Sequence, residues 1–258
     1  METGLILPLF ALSLLLLQLL ILGLLYRQSR SVLSVVQRLV RATRTAERNA
    51  QRRWLEDQSR SYLADLLQTE AAALPPSGPW VAPADFLGLV AQHILTQKPH
   101  TVVEFGAGAS TLTILRCLRL NGQGALVSFD HDPLYAKITR ERAILAGLQP
   151  DIRVVQLQDA APYPGRWYAA ADLPPAIDCL IVDGPPANLH AETRAGAASL
   201  FDRLTPGGHV FLDDAGRPGE QAIVELWQRE HPEIRFSVLR TANGIAVGEK
   251  AVESASSS

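Results

Sequence analysis

Two clusters of residue types in this chain are spaced to do chemistry. The first opens with Val103-Glu104-Phe105-Gly106-Ala107-Gly108-Ala109-Ser110-Thr111. Two close glycines let a backbone turn sharply and approach a ligand, and a following helix offers its free N-terminal amides. The dinucleotide-binding fingerprint would need a third glycine where Thr111 stands. Instead an acidic residue, Glu104, precedes Gly106 by two places. A carboxylate there repels a pyrophosphate but suits a ligand bearing an ammonium or sulfonium group; the plainer alternative is a glycine turn beside a solvated glutamate. Asp130 follows 22 residues after Gly108, within Ser128-Phe129-Asp130-His131-Asp132. An acid at such a strand end can accept hydrogen bonds from both hydroxyls of a ribose. Next comes Gln158-Asp159-Ala160, where Asp159 could receive an adenine amino group.

The second cluster is three carboxylates. Asp183 and the pair Asp213-Asp214 each end a run of apolar residues. If those runs are neighbouring strands, the three acids meet at one rim. Oxygen ligands suit a hard cation such as Mg²⁺, which lowers the pKa of a bound hydroxyl. One of the three could instead act as a general base without metal. The last alternative is that they cap helices beginning near 187 and 217.

An alternation of strands and helices must hold these groups. Strands are expected at 101–105, 125–130, 152–157, 177–182, 208–212, 235–239 and 245–247, with helices at 110–120, 133–146, 192–204 and 220–230. Such alternation implies a mostly parallel sheet covered on both faces. The short turn Ala242-Asn243-Gly244 makes the last two strands antiparallel. Doubly wound sheets bind ligands at the carboxyl ends of their strands, and the acids above fall at those ends. Taken in order, Glu104, Asp130 and Asp159 describe a nucleoside with a cation attached, S-adenosylmethionine (SAM).

The run VEFGAGASTL (103–112) resembles the first motif of class I SAM-dependent methyltransferases. SFDHDP (128–133), LQDA (157–160), DCLIVDGPP (178–186), LTPGGHVFLDD (204–214) and NGIAVGEK (243–250) follow in that family's order and spacing. The resemblance covers about 80–250 and extends to catechol O-methyltransferase-like and family 24-type small-molecule enzymes. It implies an α/β, Rossmann-like sheet of seven strands in the order 3-2-1-4-5-7-6. It also implies Glu104, Gly106 and Gly108, with Ser110, near the methionine part of SAM, Asp130 on the ribose and Asp159 near adenine. In the catechol-type enzymes, acids at places matching Asp183 and Asp213 hold a divalent metal together with an Asn. Here Asp214 stands in place of that Asn, and Gly184-Pro185-Pro186 follows Asp183. The implied reaction is methylation of a hydroxyl on a small or lipid-linked acceptor.

Composition bounds the rest. The chain has 258 residues, 47% hydrophobic and 19% charged, which excludes a wholly disordered chain. Two cysteines, Cys117 and Cys179, cannot build a disulfide framework, and Cys179 reads as a small core residue. A net charge of −2 hides an asymmetry: residues 27–60 hold nine arginines against Glu47, Glu56 and Asp57, or +6, so the remainder totals −8. Residues 4–26 carry no charge. As a helix they would span about 34 Å, enough for a hydrocarbon core of about 30 Å. A cleaved leader would want a basic start and a small-residue cleavage site, and the run has neither.

The expected organisation is therefore a transmembrane anchor (1–26), a basic helical stalk (27–72), a proline-rich linker (73–83), a methyltransferase domain (84–250) and a disordered tail (251–258). Arginines after the anchor place the catalytic domain in the cytoplasm and the N-terminus outside. They would meet anionic headgroups, and the stalk could pair into a homodimer. Nucleic acid is not an expected partner, because residues 61–258 carry 15 Lys+Arg against 22 Asp+Glu. Trp80, His131 and His190 flank the expected site, with ordinary packing or surface roles as the plainer reading. Two rival functions stand beside methyl transfer. One is an NAD-dependent oxidoreductase, disfavoured by Thr111 and Glu104. The other is a catalytically silent SAM-binding membrane scaffold.

Overall fold

The computed structural model describes residues 6–76, 78 and 81–252. Trp80 and the tail from 253 onward lie outside them. Two compact units make up the chain, Met1–Trp54 and Leu55–Ser258.

The first unit is helical. Helix α1 covers Ile6–Leu66. Neither glycine nor proline occurs between Gly23 and Pro75, so nothing interrupts its hydrogen-bond ladder. Its apolar side chains from Leu15 to Tyr26 are exposed. Among the described residues, α1 is the one helix long and apolar enough to cross a membrane.

The second unit starts earlier than the proline-rich linker. Leu63, Ala64 and Leu67 are buried in one cluster with Phe86, Val90 and Ile94 of α2 (Ala84–Gln97). That helix falls where the sequence reading placed no element. Its apolar residues 86, 87, 90, 91 and 94 recur at helical spacing, and they bury one face.

Beyond α2 the chain alternates. In order come β1 (Thr101–Phe105), α3 (Ala109–Asn121), β2 (Ala125–Asp130), α4 (Pro133–Leu145), β3 (Asp151–Val154), β4 (Leu157–Asp159), β5 (Arg166–Tyr168) and β6 (Ile177–Val182). A 3-10 helix at Thr193–Arg203, β7 (Leu204–Asp213), α5 (Pro218–Glu230), β8 (Ile234–Leu239) and β9 (Ile245–Lys250) complete it. Seven strands form one sheet in the order β3-β2-β1-β6-β7-β9-β8, with β9 antiparallel to both neighbours. This is the expected 3-2-1-4-5-7-6 order once β4 and β5 are set aside.

Those two strands are the main departure. The expected strand 152–157 stops at Val154, and the chain continues into a separate antiparallel hairpin. Trp167 and Tyr168 draw the hairpin in by packing at a tilt against Phe105, with ring centroids at 4.7 and 5.1 Å. The expected helix at 192–204 is the 3-10 helix. Its Gly196 lies so close to Trp167 that a Cβ there would come within 2.6 Å of the indole.

Register sets the functional rim. Phe105 pairs with Phe129 on one side and Val182 on the other, and Val182 pairs with Leu212. The next residues in each strand direction, Gly106, Asp130, Asp183 and Asp213, therefore reach the same edge.

Candidate active site

A cavity of about 730 Å³ opens at that edge, lined by Gly106, Gly108, Asp130, Asp183, Asp213 and Asp214 among others. Gly106 adopts φ +98°, a conformation that disfavours any side chain. A Cβ there would also come within 2.8 Å of Gly184 N, so the loops after β1 and β6 touch through two glycines.

Glu104 is wholly buried beneath this loop and is not part of the cavity wall. Its Oε2 accepts hydrogen bonds from Thr111 Oγ1 at 2.6 Å and Ser128 Oγ at 2.5 Å. Thr111 Oγ1 in turn accepts from Gly108 N at 2.9 Å. Glu104 thus braces the glycine loop through Thr111. Burial raises its carboxyl to about 7, against the lowering effect of Ser110, Ser128 and Thr111. Ser110 is also buried, beside Glu104 and away from the wall.

Asp130 does line the cavity. Its Oδ2 accepts from Ala107 N and its Oδ1 from Asp132 N, both at 2.8 Å. Remaining lone pairs on both oxygens are available to a ligand. Burial raises its pKa, and the backbone donors oppose the rise. Asp132 caps α4 by accepting from Leu134 N and Tyr135 N. His131 also lines the cavity, its Nδ1 3.5 Å from Asp130 Oδ1. His190 does not; its Nδ1 accepts from Glu192 N.

Asp159 is not brought to this site. It sits exposed in the β4–β5 hairpin, paired in register with Arg166, beside a separate cavity of about 240 Å³.

The second cluster converges as the sequence suggests. Carboxylate oxygens of Asp183, Asp213 and Asp214 lie within 4.8 Å of one another. Asp183 keeps 20% of its side chain exposed, whereas Asp213 Oδ1 is buried without a hydrogen-bond partner. Asp214 adopts a left-handed backbone, φ 62°, which turns the chain after β7. Burial raises Asp183 to about 6, with Arg194 opposing and Asp214 adding to the rise. Asp213 is raised well above the usual carboxylate range, by burial and then by the charges of Asp183 and Asp214.

Four residues of the site were not legible in the sequence. Arg194, 3% exposed, heads the 3-10 helix and reaches under the acids. Its guanidinium donates to the backbone carbonyls of Asp183, Pro185 and Asp213 at 2.9–3.2 Å. It also lies 3.5 Å from Asp214 and 3.8 Å from both Asp183 and Glu220. Arg217 meets Asp214 at 2.8 Å. Buried Glu220 completes a set of four carboxylates around two guanidiniums, formally −2. Tyr168 lines the cavity from β5. The one available signal was Arg194 itself, a lone charge opening the small-residue run Ala195-Gly196-Ala197-Ala198.

Asn243 of the β8–β9 turn also lines the cavity. Asn243 O and Gly244 O accept from Gly216 N and Ala215 N at 2.8 and 2.9 Å, which fastens that turn to the loop after β7.

A doubly wound sheet with a reversed final strand, and a glycine loop and a row of acids at its carboxyl edge, gives the chain the Rossmann-like methyltransferase fold. Residues 103–215 match the family model described as "Methyltransferase domain". No curated protein matches the chain by sequence. Among solved structures, the SAH-bound methyltransferase PaMTH1 of Podospora anserina is 15% identical with a TM-score of 0.54, covering 80% of this chain and 95% of its own. Cofactor-bound Rv0187 from MTB is 19% identical, TM-score 0.51, over 74% and 90%. The O-methyltransferase TomG from Streptomyces achromogenes, involved in tomaymycin synthesis and solved with SAM, is 13% identical, TM-score 0.50, over 76% and 89%. These likenesses establish the fold.

Proposed function

We propose that the chain is a membrane-anchored SAM-dependent O-methyltransferase. The observation that carries the reading is a single cavity with Asp130 and the glycine loop on one side and three carboxylates on the other. Asp130 takes the ribose hydroxyls through its free lone pairs. Gly106 and Gly108 admit the methionine part against the backbone, and Glu104 holds that loop through Thr111 rather than touching the donor. SAM's sulfonium is already a good leaving group, so the protein's task is to hold an acceptor oxygen in line with the methyl at about 3 Å.

Removal of the acceptor proton falls to the acids. Asp183, the member with exposed side-chain surface, is placed to receive it. The same three carboxylates fit a divalent cation: all donors are oxygen, Asp213 Oδ1 is unpartnered, and the cluster carries formal excess negative charge. Asp183, Asp213 and Asp214 would hold it. When bound, such an ion supplies Lewis acidity that lowers the pKa of the acceptor hydroxyl.

Helix α1 gives this reading its membrane part. Its apolar stretch is long enough to span, and the nine arginines at 27–60 favour a cytoplasmic domain with the N-terminus outside. The acceptor is then a small or lipid-linked alcohol or phenol near the bilayer.

Incubating the full chain in its membranes with methyl-labelled SAM, with and without chelator, tests the proposal. Label in a membrane-extractable product supports it, and loss of label with chelator assigns the metal. Calorimetric binding of NADH with no binding of SAM refutes it.

A further inference from the structure

Tyr168 has a polar atom that the protein itself leaves unused. The residue is 3% exposed, and its hydroxyl has no hydrogen-bond partner among the described residues. Buried hydroxyls are as a rule paired, so an unpaired one on a residue that lines the cavity points to a ligand. Its ring is held in place by Phe105 and Trp167, each at a centroid distance of 5.1 Å. The oxygen rests against Gly184 so closely that a Cβ there would collide with it. Gly184 in turn abuts Gly106. The hydroxyl therefore stands where the glycine loop meets the end of β6. On one side is Asp130, at the ribose end, and on the other Asp183, at the transfer end.

We infer that Tyr168 Oη contacts the sulfonium centre of the bound methyl donor and makes the site prefer the sulfonium to the thioether left after transfer. This rests on the SAM reading above, and on where a donor must run. Ribose at Asp130, methionine along Gly106–Gly108 and methyl toward Asp183 leave the sulfur at the junction that the phenol faces. A phenolic oxygen offers lone pairs with partial negative charge, which attract a cation and do little for a neutral sulfide. In a site of low dielectric that contrast is larger than in water. Burial, and next the charge of Asp130, hold the phenol protonated, so it serves as a neutral contact and not as a base. The benefit is turnover: the spent cofactor loses the contact as soon as the methyl has left.

Tyr168→Phe removes one atom and keeps the ring. The full chain in detergent micelles is titrated calorimetrically with SAM and, separately, with S-adenosylhomocysteine, whose sulfur is neutral. The expected result is a loss of SAM affinity of about fivefold or more with less than a twofold change for the thioether. The ligand-free variant should melt no lower than the native chain, since the lost hydroxyl had no partner. Equal losses for both ligands, or no loss for either, overturn the inference while leaving the methyltransferase reading intact. A native chain that binds neither ligand overturns both.

Discussion

Replacing Glu104 with Gln should abolish a pH dependence of stability that the native domain carries. The folded carboxyl titrates at about 7, against 4.5 for an unperturbed one, chiefly because of burial. The folded state thus holds the proton more tightly than the unfolded chain. The stabilisation is complete below the unfolded value and is lost as pH climbs through the folded one. Over that window, at about 1.36 kcal/mol per pH unit, the loss comes to about 3 kcal/mol. The group is fully buried, so no discount for solvent screening applies. Gln keeps the oxygen that accepts from Thr111 and Ser128, and its amide replaces the unpartnered Oε1 beside Ser110 Oγ, another unpaired buried atom. Asp130, Asp183, Asp213 and Glu220 are raised too, but they titrate in both proteins and drop out of the difference. Urea unfolding, followed by fluorescence of buried Trp167 and Trp227, gives that difference at each pH. Glu104→Gln should gain about 3 kcal/mol relative to the native chain between about pH 4.5 and about pH 8. Parallel profiles for the two proteins would mean that Glu104 is not a buried acid with a raised pKa, and the bracing role assigned to it would fall.

Gly106→Ala should cost about 2 kcal/mol or more in thermal unfolding, because its positive φ and the contact with Gly184 leave no room for a methyl. Asp130→Asn puts a donor amide against a backbone N–H and removes the acceptor proposed for ribose; calorimetry should show SAM affinity reduced at least tenfold. Arg194→Met leaves buried acids uncompensated and should destabilise the domain by about 3–5 kcal/mol, with partial recovery when Asp183→Asn is added.

The strands at 101–105, 125–130 and 177–182 were legible to the residue, because each is a short apolar run cut off by glycine or an acid. Those same cut-offs carry Gly106, Asp130 and Asp183, so much of the site could be read along with the sheet. What escaped depends on contacts distant in sequence. Tyr168 reaches the cavity because a hairpin folds back on Phe105, and Arg194 because a 3-10 helix packs on Trp167. Asp159 follows the expected strand 152–157 and so reads as its end, but it pairs with Arg166 in a hairpin separate from the seven-stranded sheet. Helix α2 was hidden by its nearness to the prolines, although its apolar spacing is helical.

The reversal of β9 brings its turn to the same edge as the parallel strand ends, and backbone hydrogen bonds alone tie that turn to the loop after β7. Asn243, the residue of this turn that lines the cavity, is therefore held by main-chain atoms, while Thr241 Oγ1 accepts from Gly244 N within the turn. Related chains could lengthen or recolour this corner to accept different alcohols without disturbing the pocket for the methyl donor. Divergence of acceptor choice should accordingly concentrate in a four-residue turn, far in sequence from the glycine loop that it faces.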